Sequence, residues 1–234
     1  MTMESRLCPT FSGELSSRRS AHLVNVLPRY GGWPNSHGSL EHYQHGAPTH
    51  PFGLGEVLQA YLLYLVCLAD DFPTTSPSPE LQFEPYSPNL HARFAQLVNA
   101  TYEDTLDCPA VNGVRNVEDV LQGYRATGHF DPERWLIVRH QGEEIGCLIL
   151  TDYPEQATWE LIYMGLLPAA RGRGWGLEIV RHALWLSGQA SRTRLVLAVD
   201  AANEPALRIY AAAGFQAWDR TSAYIRVLDE NAQA

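Results

Sequence analysis

At 234 residues the chain has room for one ordinary domain plus an extension, or for two small domains. Its formal net charge of −9 argues against nucleic acid as a main partner, because polyanion binders carry a basic face. Cys8, Cys67, Cys108 and Cys147 are too scattered for a zinc motif and read as reduced thiols, and the longest apolar run, Val57 to Ala69, is too short to cross a bilayer, so no membrane partner is expected.

The N-terminus shows no charged-then-apolar signal design, which leads to the expectation of a soluble, cytoplasmic protein. Residues 1–55 sustain no apolar period and read as irregular chain. His37, His42, His45 and His50 raise the question of a metal, but their spacing matches no ligand template and no metal is expected. Val57, Leu58, Tyr61, Leu62, Tyr64, Leu65 and Leu68 form a stripe that predicts a helix over 56–69. Such a helix either docks on the rest of the chain or pairs two copies into a homodimer. The segment from Phe72 to Pro79 is a linker by composition. It divides the chain into an extension, 1–78, and a main domain, 79–230.

The main domain opens with a strand at Glu80–Tyr86. A helix follows from Leu90 to Thr101, capped by Asn89 or Ser87, and a second runs from Asn116 to Ala126. Between them, residues 105–109 and Asn112-Gly113 are turn chemistry. Strands at Trp135–Arg139 and Glu144–Thr151 are joined by Gln141-Gly142, a hairpin signal, and Trp159–Leu166 is the next strand. A helix at Trp175–Ser187 is expected to stop at Gly188, and Leu195–Val199 is a short strand ending at Asp200. Asn203, Glu204 and Pro205 then suit the cap and first turn of another helix, which carries Tyr210 and stops at Gly214. Phe215–Trp218 and Ala223–Leu228 read as two final strands.

The most informative stretch is Arg171-Gly172-Arg173-Gly174-Trp175-Gly176, a glycine turn between an apolar strand and an amphipathic helix. Glycines let the backbone approach a ligand, and a helix start offers unpaired N–H groups at the positive end of a dipole. Together these make an anion site suited to phosphate or pyrophosphate, with Arg171 and Arg173 adding charge. The spacing is not that of the dinucleotide fingerprint G-x-G-x-x-G. A P-loop needs a lysine, and the chain has none.

Arg171, Gly174 and Gly176 do fit the order Gln or Arg, two residues, Gly, one residue, then Gly or Ala. This resembles motif A of the GNAT superfamily of N-acetyltransferases. A second segment, from Val199 through Asn203 and Tyr210 to Gly214-Phe215, resembles that family's strand–Asn–helix–Tyr–Gly-Phe segment. The resemblance implies an α/β (α+β) fold with a mixed, mostly antiparallel sheet of about six or seven strands flanked by helices, behind an irregular N-terminal extension. It implies direct transfer of an acetyl group from acetyl-CoA to a primary amine in a ternary complex. In that reading the backbone of Met164, Gly165 and Leu166 meets the pantetheine arm, and the Arg171–Gly176 turn, Trp175 included, meets the pyrophosphate. Asn203 caps its helix or contacts the cofactor arm, and Tyr210 protonates the departing thiolate. The base that frees the amine is Glu160, Asp200, Tyr163 or a water chain. Glu160 is placed by strand parity on the face of Ile162, Met164 and Leu166. A non-catalytic acyl-CoA-binding module is the alternative. The loops at 104–115 and 152–158 are expected to choose the acceptor.

Overall fold

The computed structural model describes residues 20–24, 57–77, 79–109, 112 and 116–228. The four histidines at 37, 42, 45 and 50 lie outside the described residues. So does the rest of the irregular extension, apart from a short strand β1 (Ser20–Val24) that the sequence did not suggest. The further elements are strands β2 (Val57–Leu68), β3 (Leu81–Pro85), β4 (Trp135–His140), β5 (Glu143–Tyr153), β6 (Thr158–Leu166), β7 (Arg194–Asp200) and β8 (Gln216–Leu228). The helices are α1 (His91–Thr101), α2 (Val117–Ala126), α3 (Trp175–Gln189) and α4 (Glu204–Ala212).

The strands form one sheet in the order β1-β8-β2-β7-β6-β5-β4-β3. Every neighbouring pair is antiparallel except β6 with β7. Alternation along β4 and β5 separates two cores. Leu136, Val138, Leu148 and Leu150 face Ile179, Val180, Ala183 and Leu184 of α3 and Tyr210 of α4. Trp135, Ile137, Cys147 and Ile149 face Phe94, Leu97 and Val98 of α1 and Leu121 of α2. The period of two thus clothes both faces of the sheet with helices.

The expected helix at 56–69 is a strand, and this is the main correction to the sequence reading. β2 lies inside the sheet, paired to β7 from Leu62 to Leu68 and to β8 from Val57 to Val66. Leu62, Tyr64, Leu65, Val66 and Cys67 are all buried. A run that is apolar on both faces satisfies a helical stripe and a doubly covered strand equally well, so periodicity alone cannot separate them. With both edges of β2 paired inside the sheet, the reason for expecting a homodimer through this segment is gone. The two strands expected at the end of the chain are one continuous strand, β8, paired with β2 and β1.

Smaller departures have local causes. Neither Asn89 nor Ser87 caps α1, because a 3-10 turn at Pro88–Leu90 runs directly into the helix. Helix α3 passes through Gly188, and its chain reverses at Ser191, which takes the left-handed φ of +55°. Gly214 does close α4, at φ +94°, where the N–H of Phe215 donates to the carbonyl of Tyr210 at 3.0 Å.

One break in regularity positions everything that follows. Strands β6 and β7 pair only at Thr158–Glu160 with Arg194–Val196. Beyond that point the two strands part. β7 is held on its other side by β2, and β6 by β5, so the gap between them stays open. A bulge in β6 falls at the same place: Leu150 pairs with Leu161 and Ile149 with Tyr163, which leaves Ile162 as the extra residue.

Candidate active site

The gap between β6 and β7 is a cleft of about 220 Å³. Its walls are Leu161 to Leu166 of β6, Ala198 and Val199 of β7, Ala206, Ile209 and Tyr210 of α4, and the loop Asp104–Asp107. Asn203 also lines it, and Arg171 and Gly176 mark the end at the glycine turn. The fold therefore brings Met164, Gly165, Leu166, Arg171, Gly176, Asn203 and Tyr210 around one space. Gly172, Arg173, Gly174 and Trp175 continue the turn beyond that end.

The turn is shaped by two left-handed glycines, Gly172 at φ +74° and Gly174 at φ +84°. Gly174 is the residue before α3, and no side chain caps the helix. Among the described residues, no backbone carbonyl accepts from the N–H groups of Gly172, Arg173, Gly174, Trp175 or Gly176. By contrast, the N–H of Arg171 donates to Pro168 O and that of Leu177 to Gly174 O. Gly176 serves a different end: a Cβ there would lie 2.8 Å from Ile209 Cδ1, so its absence lets α3 pack closely on α4. The indole of Trp175 rests on His140, with ring centroids 4.4 Å apart.

The side chain of Arg171 has partners within the chain. Its Nε donates to Leu166 O at 3.1 Å, Nη1 to Asp104 O at 3.1 Å, and Nη2 to Thr101 O at 3.0 Å and Glu103 O at 2.7 Å. The carbonyls after α1 are the unpaired acceptors that any helix leaves at its C-terminus, and a cation there also suits the dipole. The side chain of Arg171 thus forms a clamp between α1 and the end of β6. Arg173 is exposed beside the turn and, among the described residues, makes no ion pair.

Tyr210 is buried at 6% exposure, its ring edge-on to Phe215 at 5.6 Å. Burial, with the nearby charge of Asp107, pushes its phenol above the ordinary range. Asn203 does cap α4, its Oδ1 accepting from Ala206 N at 3.3 Å, while lining the cleft.

The candidate bases separate. Asp200 is buried, with Oδ1 accepting from Ala202 N at 2.9 Å and Oδ2 from Cys108 N at 3.2 Å. It staples the 104–109 loop to the start of α4. Tyr163 is held protonated by burial; its hydroxyl pairs with Thr101 Oγ1 at 2.8 Å, and because that hydroxyl already donates to Val98 O, Tyr163 is the donor. Glu160 remains. It is half-buried, loss of hydration raises its carboxyl, and Tyr153 donates to Oε2 at 2.9 Å. The bulge at Ile162 reverses the expected parity: Met164 and Leu166 pack on the α3 side, and Ile162 and Tyr163 on the α1 side. Glu160 is therefore not on the face of Met164 and Leu166, nor is it a lining residue of the cleft. Among the described residues no group of acidic, histidine or cysteine side chains is arranged to hold a metal, and no helix is long and apolar enough to cross a membrane.

Comparison with known proteins gives this arrangement its class. The model of the Acetyltransferase (GNAT) family matches residues 98–215, half of the chain. The chain belongs to that family, whose members are acyltransferases using acetyl-CoA as donor. It is 31% identical over 109 residues to a mycothiol acetyltransferase from Paenarthrobacter aurescens (strain TC1), covering 44% of this chain and 34% of that protein. It therefore spans about a third of that relative's length. Its fold is similar to a GCN5-related N-acetyltransferase from Sphaerobacter thermophilus, with a TM-score of 0.54 at 19% identity over 77% of this chain and 55% of the other. It is also similar to the GCN5-related glucosamine N-acetyltransferase region of a fungal multi-domain GH3 beta-N-acetylglucosaminidase, with a TM-score of 0.51 at 18% identity, covering 70% of this chain and 20% of the other.

Proposed function

We propose that the chain is an N-acetyltransferase that moves an acetyl group from acetyl-CoA directly to a primary amine held in the same cleft. The observation that carries this reading is the run of main-chain N–H groups from Gly172 to Gly176 without backbone acceptors among the described residues, at the end of a cleft that also holds Tyr210. Such amides at a helix start fit a diphosphate, and Arg173 adds a cation beside them. The diverging edge of β6 at Met164 and Gly165 offers main-chain groups to an extended amide-bearing arm, in the manner of an added strand. Leu166 contributes less, because its carbonyl already accepts from Arg171.

The donor supplies an activated thioester. Tyr210 offers its O–H to the departing sulfur. An ordinary phenol near 10 against a thiol near 8.5 makes that proton transfer slightly uphill. Burial raises Tyr210, and the same loss of hydration raises a thiol held in the cleft, so the two shifts oppose each other. Glu160, with its raised carboxyl, does not line the cleft and so takes the amine's proton through water.

The experiment is to mix acetyl-CoA with an amine panel and follow free thiol, with Tyr210→Phe beside the native chain. Release that depends on amine and falls roughly a hundredfold in the variant supports the reading. Unchanged turnover in Tyr210→Phe removes the acid.

A further inference from the structure

We propose that Leu161 sets the length of acyl group that the cleft accepts: acetyl fits, and longer acyl chains are turned away where β6 and β7 rejoin. The inference rests on the acetyl-transfer reading for the direction in which the coenzyme lies.

The cleft has a built end. Its two strands run together over Thr158–Glu160 and Arg194–Val196 and part beyond. One end of the space is the glycine turn, and the other is the closing rung of Glu160 with Val196. A coenzyme whose diphosphate lies on the turn therefore points its thioester at that rung. The arm from phosphorus to sulfur has roughly thirteen bonds, and a strand residue has roughly three, so the arm spans about four residues, roughly 14 Å. Counted back from Leu166, this sets the sulfur beside Ile162, next to Leu161.

Leu161 fills that end. It is the first residue after the rung to line the cleft, and it is only 3% exposed. Across from it on β7, Val196 and Leu197 are equally buried. On the α3 face Leu161 packs in one core with Leu197, Val199 and Tyr210. Tyr210 is the group that offers its proton to the sulfur, so on that face the wall beyond the sulfur is Leu161. The other edge of β6 gives no slack, because Leu161 pairs there with the fully buried Leu150. Added methylenes would have to enter side chains already packed to interior density. The opposite face offers no substitute. Ala198 lies between Leu197 and Val199 and so points that way by strand alternation, and it is exposed. An acyl chain turned to this open side would fill the path by which the amine arrives.

The test is calorimetric binding of acetyl-CoA, propionyl-CoA and butyryl-CoA to the full chain. The native chain is expected to bind butyryl-CoA roughly tenfold or more weaker than acetyl-CoA, with propionyl-CoA between them. Leu161→Ala removes more carbons than butyryl adds, and is expected to bring that ratio to within about twofold. Leu161→Val, a gentler change to the core, is expected to lower it partway, and it decides the matter if Leu161→Ala does not fold. Each ratio is read within one variant, so a general loss of affinity cancels. Equal binding of acetyl-CoA and butyryl-CoA by the native chain, or binding of neither, overturns the inference, as does the native ratio in a folded Leu161 variant. A chain that discriminates by length yet releases no thiol with any amine keeps Leu161 as the limit and contradicts the transfer.

Discussion

The guanidinium of Arg171 donates to the carbonyl of Thr101 at 3.0 Å, and so ties the last residue of α1 to the turn that opens α3. The same side chain reaches Glu103, Asp104 and Leu166. The residue that the sequence offers as a phosphate ligand therefore also links α1 and the loop after it to the glycine turn.

The first prediction concerns that link. Arg171→Ala leaves several carbonyls without their donor and should lower stability by about 2 kcal/mol, the scale of charge-assisted hydrogen bonds at a partly solvated site. Arg171→Lys, with a single ammonium in place of a fork, should recover only part of it. Chemical denaturation measures both; an unchanged midpoint in Arg171→Ala would mean the clamp adds nothing.

The glycines of the turn should separate by mechanism. Gly174→Ala forces a side chain into φ +84°, a strain of about 1 kcal/mol or more, although its Cβ would meet nothing within 4 Å. Relief of that strain re-aims the amides, so the KM for acetyl-CoA should rise about tenfold, the equivalent of about 1.4 kcal/mol. Gly176→Ala comes too close to one atom, Ile209 Cδ1, the movable end of a side chain, and should raise it less. Steady-state kinetics in acetyl-CoA distinguish the two; the reverse order contradicts the assignment.

Glu160 gives a pH signature with a definite sign. Its folded carboxyl is raised by burial, so the folded state holds a proton that the unfolded chain has released. Its contribution is fully present below the ordinary glutamate value and is lost as pH rises through the raised one. Glu160→Gln should lack that loss, and so gain on the native chain in stability as pH climbs through this window. Its turnover should fall roughly a hundredfold or more, without the native rise of rate over the same window. Denaturation and pH–rate profiles read these separately. Parallel stability curves would put Glu160 at its ordinary value.

For β2 the prediction is structural. Val66→Pro removes a donor from a strand paired on both sides at Val196 and Gln216, and should cost about 3 kcal/mol or more, with loss of soluble protein. Full solubility and an unchanged melting temperature would contradict its place inside the sheet.

Much of this was legible in the sequence, for identifiable reasons. Gln141-Gly142 sits at φ +52° and +86°, as a tight hairpin demands, and Asn203 with Pro205 opened a helix as capping chemistry requires. What the sequence concealed depends on contacts between distant parts of the chain. Tyr64 and Leu65 belong to a strand only because β7 and β8 flank them. The parity of Glu160 was lost to a single bulge residue, Ile162, which no local signal marks. Arg171 finds its carbonyls about seventy positions away, and Asp200, read in the sequence as a strand end and a candidate base, holds the loop that carries Asp107.

The account turns on the amides of the glycine turn, and a titration of nitrogen-15-labelled protein with coenzyme A observes them directly. The resonances of Gly172, Gly174 and Gly176 should move together and saturate, while pantetheine, which lacks the diphosphate, leaves them in place. If coenzyme A binds and those signals stay still, the turn is not the diphosphate site, and the proposed aim of the thioester at Tyr210 is contradicted.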